Sequence, residues 1–204
     1  MSKENYNLSL LEGFTKRLFD FIVAFTGLVI LWPIILVCSV LACIDTKANG
    51  FFIQERVGRK GKVFRVFKIR TMKVTNDGTT ITTKSDARIT QLGAFFRKAK
   101  LDELPQLINV VLGQMSFVGP RPDVPGYADK LSGVERSILN IRPGITGPAT
   151  LKYRNEEELL AAQEDPVLYN DSVIFPDKVK INLEYVQHWS FTKDLRYIIQ
   201  TIIS

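Results

Sequence analysis

The chain of 204 residues carries a formal net charge of +6, two cysteines and one histidine. This composition excludes a disulfide framework and a zinc ligand set, and it leaves His188 as the only base for a Ser-His or Cys-His mechanism. Covalent chemistry therefore falls to carboxylates, lysine, arginine, tyrosine or a hard cation bound by oxygen, such as magnesium.

Positive charge is concentrated in the first half of the chain. Residues 1–100 contain 17 lysines or arginines against 7 acids, whereas residues 101–204 contain 10 against 14. This asymmetry predicts that the N-terminal half faces an anionic partner, which could be lipid headgroups, nucleic acid or a phosphorylated substrate.

A polar segment over residues 1–15 precedes an apolar run from Leu18 to Ile44. These 27 residues exceed the roughly 20 that a helix needs to cross a bilayer. Pro33 interrupts the helical hydrogen-bond ladder near the middle, and basic residues flank both ends, so that no orientation is favoured. On this pattern alone, residues 16–46 fit a re-entrant hairpin and a kinked spanning helix equally well.

A basic cluster follows the apolar run, with eight basic residues and no acid between Arg56 and Asn76: Arg56, Arg59, Lys60, Lys62, Arg65, Lys68, Arg70 and Lys73. The apolar residues among them predict one or two short strands joined at Gly61. Contact with anionic headgroups is the leading interpretation, and binding of a phosphorylated substrate is the second. Nucleic acid is the weakest, because no nucleic-acid module is recognisable.

Two helices are predicted around an acid pair, Asp102 and Glu103. Residues 74–87 have the composition of an exposed loop, after which a helix is expected to begin near Ser85 or Asp86. Its apolar face consists of Ile89, Leu92, Phe95 and Phe96. The second helix is expected to end at Gly113, and its apolar residues recur at spacings of three and four: Leu104, Leu107, Ile108, Val111 and Leu112.

The acid pair has an ordinary explanation, because aspartate caps helices well and acids in a first turn favour the helix dipole. A chemical role is the alternative, since the basic residues Arg97, Lys98 and Lys100 directly precede the pair. Two further arginines lie in the rigid loops Gly119-Pro120-Arg121-Pro122 and Arg142-Pro143-Gly144. A fixed guanidinium suits a diphosphate, whereas the alternative is a turn with a solvated arginine.

The C-terminal part is expected to be helical. Residues 155–165 are acidic and predict a solvated helix with little chemistry. The last helix follows Ser190 or Thr192 as its cap and has an apolar face that packs on the domain or lies at a membrane surface: Leu195, Ile198, Ile199, Ile202 and Ile203.

Five motifs together resemble the bacterial sugar transferase family, the small monotopic phosphoglycosyl transferases. They are Lys68-Ile-Arg-Thr-Met72, Arg88-Ile-Thr-Gln-Leu-Gly93, Leu101-Asp-Glu-Leu-Pro-Gln106, Met115-Ser-Phe-Val-Gly-Pro-Arg-Pro122 and Arg142-Pro-Gly-Ile-Thr-Gly147. The resemblance runs from about Lys16 to the C-terminus. It implies an α+β fold with a re-entrant membrane helix-hairpin over residues 16–46, centred on Pro33. Residues 47–204 would form a small, mainly helical catalytic domain with short strands and Pro/Gly-rich ordered loops.

The resemblance also implies a reaction. A UDP-sugar gives its sugar 1-phosphate to polyprenyl (undecaprenyl) phosphate and releases UMP, as the first membrane step of glycoconjugate synthesis. Asp102 would be the nucleophile that forms a phosphosugar-aspartyl intermediate, and Glu103 would help to hold Mg²⁺. The residues expected to bind the substrate phosphates or the nucleotide are Arg97, Arg121, Arg142, Lys68, Arg70 and Asp194.

By the same resemblance, the protein is expected at the bacterial inner membrane, with its catalytic domain on the cytosolic face against anionic lipids. Downstream glycosyltransferases and a homo-oligomer are left open as partners, and the sugar and the glycan pathway are not specified. Family members commonly carry an acid in place of Gln114, an aspartate in place of Asn182, and Trp-Ala-Gln in place of residues 148–150. These departures concern the sugar pocket, and they motivate an alternative in which the protein is a membrane-anchored scaffold without turnover.

Overall fold

The computed structural model describes residues 8–74 and 86–203. Most of the loop expected over residues 74–87 lies outside these residues. The described part contains helices α1 Leu10–Thr46, α2 Gln91–Lys98, α3 Gln106–Val111, α4 Pro148–Lys152, α5 Glu156–Ala161, α6 Pro166–Tyr169, α7 Phe175–Gln187 and α8 Phe191–Ile203. It also contains strands β1 Phe51–Val57, β2 Val63–Ile69, β3 Ser116–Val118 and β4 Gly144–Thr146. This mixture agrees with the α+β class.

Helix α1 is one continuous helix of 37 residues that passes through Pro33. It begins at Leu10 rather than at residue 16, because Ser9 and Glu12 form a reciprocal capping box upstream of the apolar run. Helix α1 is long and apolar enough to cross a membrane. No other helix in the described residues meets this criterion. Pro33 therefore does not divide it into two separate helices, and whether its ends share one face of the membrane stays a prediction.

Both halves of α1 pack against the rest of the chain. Before Pro33, Ala24 lies in a buried cluster with Val66 of β2 and Val110 of α3. After Pro33, α1 contributes to a second buried cluster through Ile35, Cys38 and Ala42, which pack with Ile69 and Phe96. The opposite side of α1 is apolar and exposed, for example at Phe25, Ile30, Trp32 and Val37. Helix α1 is thus both a core element and an apolar outer surface.

Strands β1 and β2 form an antiparallel hairpin, which confirms the strands predicted on either side of Gly61. In its register, Arg56 is opposite Phe64 and Phe52 is opposite Lys68. Directly opposite residues share one face of a sheet, and that face repeats every second residue. Arg56 and Lys68 consequently lie on the same face of the hairpin.

Helix α2 begins at Gln91, so the start expected near Ser85 or Asp86 is wrong. Asp86 does not open a helix, because its carboxylate accepts hydrogen bonds from the side chain of Arg88, and Ile89 forms a β-bridge with Met72. The cap is Thr90, whose hydroxyl accepts from the amide of Gly93. The predicted second helix is present as α3, and the chain leaves it at Gly113 with a positive φ, as expected.

The two Arg-Pro loops lie side by side because β3 and β4 pair in parallel. The Gly119 amide donates to the Thr146 carbonyl, and the Gly144 amide donates to the Pro120 carbonyl, each at 2.9 Å. A Cβ atom on Gly119 would lie 2.4 Å from the Arg142 carbonyl oxygen, so glycine is needed for this close approach.

The C-terminal helices agree with the sequence analysis. The acidic segment forms α5, and α8 begins directly after Ser190, whose hydroxyl accepts from the Lys193 amide. Ile199, Ile202 and Ile203 leave an apolar face of α8 exposed.

Candidate active site

Asp102 lies in a short 3₁₀ turn, Leu101–Glu103, which follows Lys100 in the left-handed region at φ 56°. Asp102 does not cap α3, because α3 begins only at Gln106 and Pro105 is its N-cap residue. Both acids nevertheless lie in the first turn of the 3₁₀ segment, as the ordinary explanation expects.

The Asp102 carboxylate is buried, and its Oδ1 atom has no hydrogen-bond partner. Burial raises the pKa of Asp102 above its ordinary value, and the neighbouring charge of Glu103 raises it further. Lys68, Lys100 and Arg97 act in the opposite direction and favour the ionised form. A buried carboxylate oxygen without a partner costs stability, and this oxygen is available to a bound group.

Glu103 is the acid that the surrounding cations stabilise. Its Oε1 atom accepts a hydrogen bond from Arg121 Nη2 at 2.7 Å and lies 3.5 Å from Lys68 Nζ. Burial alone would raise the pKa of Glu103, but Arg121 and then Lys68 outweigh burial and hold this pKa far below its usual range. Of the two neighbouring acids, Glu103 is thus neutralised by cations and Asp102 is left unpaired.

Arg97 brings two other segments to the acid pair. From the last turn of α2, its guanidinium donates to Thr71 Oγ1 at 3.0 Å and to Met72 Sδ at 3.2 Å. A third N–H group donates to Glu157 Oε1 of α5 at 3.0 Å. Helix α5 was expected to have little chemistry, yet its Glu157 accepts from an arginine whose charge acts on Asp102.

The structure brings five of the predicted site residues together: Asp102, Glu103, Lys68, Arg97 and Arg121. Their roles stay predictions. Three other predicted phosphate-binding or nucleotide-binding residues have their contacts elsewhere. Arg70 donates to the carbonyls of Asn49 and Phe51, where it fixes the turn between α1 and β1. Arg142 donates to the Gly113 carbonyl. Asp194 pairs with Lys16 and accepts from Tyr185 and Trp189. These contacts are structural and involve neither Asp102 nor Glu103.

The sequence motifs did not single out Arg56, which was predicted only as one of the eight residues of the basic cluster. Arg56 lines a small cleft with Lys68, Gln106 and Arg121. The signal that could have found it is the register of the hairpin, which places Arg56 on the face of Lys68. Charge alone could not separate Arg56 from the other seven basic residues.

The departures from the family pattern fall outside the acid pair. Gln114 Oε1 accepts from the side chain of Asn109, which also bonds to β2 through the Arg65 carbonyl and the Phe67 amide. Gln114 therefore belongs to a structural amide network. Asn182 is buried in α7, and its Oδ1 atom has no partner.

Magnesium fits the donors that are present. Within residues 8–74 and 86–203, no group of three or more His, Cys, Asp or Glu could form a metal cage. Mg²⁺ is commonly held by one or two carboxylates together with substrate phosphates, and it retains waters. Asp102, with its unpartnered buried Oδ1, and Glu103 supply that minimal set.

The chain belongs to the bacterial sugar transferase family, since the model of this family, described as Bacterial sugar transferase, matches residues 11–204. Among individual proteins, the chain is similar to one of Bacillus subtilis (strain 168) whose name provisionally assigns it as an undecaprenyl-phosphate N-acetylgalactosaminyl 1-phosphate transferase. The two are 40% identical over 148 residues, which cover 69% of this chain and 79% of that protein.

Two further relatives match most of the chain. The UDP-glucose:undecaprenyl-phosphate glucose-1-phosphate transferase of Xanthomonas campestris pv. campestris is 37% identical over 195 residues, which cover 92% of this chain and 38% of that protein. The exopolysaccharide production protein ExoY of Sinorhizobium fredii is 31% identical over 207 residues, covering 93% and 84%. The chain thus spans well under half of the length of the Xanthomonas transferase.

Proposed function

We propose that this protein is a phosphoglycosyl transferase that moves a sugar 1-phosphate from a UDP-sugar to polyprenyl phosphate, releases UMP and forms a covalent phosphosugar-Asp102 intermediate. The observation that carries the proposal is the unpartnered Oδ1 of buried Asp102 beside a Glu103 that is neutralised by Arg121 and Lys68. The names of the relatives support the reaction class, since one is an undecaprenyl-phosphate sugar-1-phosphate transferase and another an exopolysaccharide production protein.

The residues of the site have separate tasks in this reaction. The Asp102 carboxylate attacks the phosphorus that bears the sugar, and a carboxylate is a competent covalent nucleophile for this purpose. Arg97 and Arg121 offset the negative charge that spreads over the transferring group and the departing UMP. Glu103 would help to hold Mg²⁺, which would supply further charge neutralisation.

The membrane path of α1 is part of the proposal. Because α1 packs on the catalytic domain both before and after Pro33, a perpendicular crossing would carry that domain into the bilayer. A re-entrant path, with the apolar outer surface of α1 in lipid and the exposed face of α8 beside it, avoids this cost. We place the domain on the cytosolic side of the inner membrane, against anionic lipids. Association with downstream glycosyltransferases or with a second copy is compatible with this arrangement.

The covalent mechanism is tested with purified protein, a panel of UDP-sugars and Mg²⁺, without a lipid acceptor. Wild type is expected to gain the mass of one sugar phosphate and to release one equivalent of UMP, whereas Asp102→Asn gains none. Turnover by Asp102→Asn without any trapped adduct would refute the covalent intermediate. Absence of UMP release with every UDP-sugar, also after addition of undecaprenyl phosphate, would favour the scaffold.

The topology is tested by labelling single cysteines from each side of the membrane. In a background without Cys38 and Cys43, the exposed positions Leu10 and Glu55 are replaced by cysteine one at a time. A re-entrant α1 predicts that both are labelled from the cytosolic side. Labelling from opposite sides would show that α1 spans the membrane.

A further inference from the structure

Arg56 is a half-buried cation whose hydrogen bonds are all with neutral groups. Its Nε and Nη2 atoms donate to Gln54 Oε1 at 3.1 and 2.6 Å, and its Nη1 atom donates to the Pro122 carbonyl at 3.1 Å. Burial and the like charge of Arg121 lower the pKa of Arg56 to about 10. Within the described residues, no carboxylate forms an ion pair with Arg56. A guanidinium fixed in this way keeps N–H groups and charge available for an anion.

The cleft beside Arg56 has the composition of an anion site. Lys68 and Arg121 line it together with Arg56, and Gln106 adds a buried amide side chain. Glu103 is paired with Lys68 and Arg121, so that Arg56 is the cation of the cleft without an ion-pair partner.

Direct contacts show which acid the cleft faces. Arg121 and Lys68 both contact Oε1 of Glu103, whereas Oδ1 of Asp102 has no partner. Arg56 lines the same cleft, and its Nη1 atom donates to the carbonyl of Pro122, the residue after Arg121. The cleft that contains Arg56 therefore adjoins the Glu103 side of the acid pair.

The geometry of phosphoryl transfer indicates which substrate groups would reach the cleft that contains Arg56. Attacking and leaving oxygens lie roughly in line across the transferred phosphorus. In the first step the Asp102 carboxylate forms a bond to phosphorus, and the bond to the UMP oxygen breaks, with its electron pair remaining on UMP. In the second step a polyprenyl phosphate oxygen forms the bond to phosphorus, and the electron pair of the broken bond returns to the Asp102 carboxylate. Both phosphate groups thus occupy the place opposite Asp102, one after the other.

We infer that Arg56 is a substrate-binding residue of this shared subsite, where it holds the phosphate of departing UMP and then the phosphate of incoming polyprenyl phosphate. The inference rests on the proposed function. Lys68 and Arg121 complete the subsite, and the cleft face of the β1–β2 hairpin is the surface that carries it.

The test compares two ways of discharging the covalent adduct in Arg56→Gln and wild type. UMP returns the adduct to UDP-sugar, undecaprenyl phosphate carries it forward, and slow hydrolysis by water uses neither phosphate. We expect both phosphate-dependent discharges to slow by a similar factor, on the order of 10²-fold, as for other fixed donors to a developing anion. Hydrolysis should stay near the wild-type rate, which a distorted site would not allow.

Two further variants keep the test decisive. Arg65→Gln is the matched control, because Arg65 is exposed on the opposite face of the same hairpin, and it should discharge the adduct like wild type. Arg56→Lys retains the charge without the planar fork and should be intermediate; it replaces Arg56→Gln if that variant does not fold.

Slowing with only one of the two phosphates would overturn the shared subsite, and unchanged discharge with both would overturn the role of Arg56. If wild type forms no adduct, the covalent function itself has failed. The subsite is then judged by calorimetric binding of UMP, where equal affinity of Arg56→Gln and wild type overturns it and a loss of tenfold or more supports it.

Discussion

Lys16 in α1 and Asp194 in α8, 178 residues apart in the chain, form a buried ion pair. The same carboxylate accepts hydrogen bonds from the Tyr185 hydroxyl at 2.6 Å and the Trp189 indole at 3.0 Å. The pair thus joins the start of the apolar helix to the last helix of the chain. Every lone pair engaged in this way reduces the cost of burying the charge.

Lys16→Met should be strongly destabilising, because it leaves the Asp194 carboxylate buried without its cation. We expect the free energy of unfolding to fall by about 3–5 kcal/mol. For a chain of this size this corresponds to a fall in Tm on the order of 10 °C, measured by thermal unfolding in detergent. The control is Lys152→Met, which removes an exposed pair with Asp177 and should cost less than about 1 kcal/mol. Equal effects of the two variants would contradict the structural role of Asp194.

Asp102→Asn should raise the Tm while it abolishes adduct formation. The pKa of Asp102 is higher in the folded protein than the ordinary value of 3.8, so ionisation above that pKa costs stability. Removal of the charge at neutral pH therefore stabilises the fold, by roughly 2–4 °C per kcal/mol recovered. The gain should shrink as the pH falls through the folded pKa and vanish well below the ordinary value of 3.8, where the aspartate is protonated in both states. A gain independent of pH would contradict this account.

Glu103→Gln should have the opposite effect on stability. The pKa of Glu103 is lowered in the folded protein, so its contribution is present above the ordinary pKa and is lost as the pH falls through the folded value. Glu103→Gln leaves Arg121 and Lys68 without their carboxylate. We therefore expect the free energy of unfolding to fall by about 1–2 kcal/mol at neutral pH. Thermal unfolding of both variants over a pH series separates the two acids.

The rate of adduct formation should decline on the acidic side as Asp102 becomes protonated. Since Lys100 lowers the pKa of Asp102, Lys100→Gln should move this acidic limb to higher pH. The shift should be small, because Lys100 is exposed. Lys98→Gln, an exposed neighbour in α2, serves as the control; an equal shift in both variants would indicate a general charge effect. Single-turnover UMP release over a pH series is the measurement.

Glu157→Gln should lower the KM for the UDP-sugar. Glu157 accepts from Arg97 in the free protein, so a substrate phosphate must displace it before it reaches the guanidinium. The Glu157 side chain is 48% exposed, so its ion pair with Arg97 contributes less than about 1 kcal/mol. The KM should therefore change by at most about fivefold. Glu164→Gln, also exposed, is the control and should leave the KM unchanged. An unchanged or raised KM in Glu157→Gln would contradict competition between Glu157 and the substrate for Arg97.

Gly119→Ala should disrupt the paired loops. The added Cβ would lie 2.4 Å from the Arg142 carbonyl oxygen, which is backbone and cannot move independently. Gly13→Ala has nothing within 4 Å of its Cβ and should stabilise α1 slightly, by about 0.5–1 kcal/mol. Expression level and Tm distinguish the two, and comparable stability of both variants would contradict the close approach of the loops.

Local patterns predicted much of the fold. The hairpin around Gly61, the end of the second helix at Gly113 and the amphipathic α8 follow from strand composition, a positive-φ glycine and helical spacing, all of which act over a few residues. The start of α2 could not be predicted in this way, because an antiparallel bridge between Met72 and Ile89 holds the chain extended where Asp86 suggested a cap.

The site was predicted in part. Motifs identified Asp102, Glu103, Arg97, Arg121 and Lys68 without reference to geometry. Arg142 donates to the Gly113 carbonyl, and Asp194 pairs with Lys16. These contacts result from long-range packing, which no local sequence pattern specifies. Arg56 required the strand register for the same reason.

Helix α1 has a practical consequence for work with this protein. Ala24, Ile35, Cys38 and Ala42 are buried against the catalytic domain, so deletion of the helix would strip the core instead of releasing a water-soluble enzyme. A soluble version would have to retain α1 and replace only its outward residues, such as Phe25, Ile30 and Val37, with polar ones. Helix α1 is therefore an integral part of the folded core with an apolar outer face, and not a removable membrane anchor.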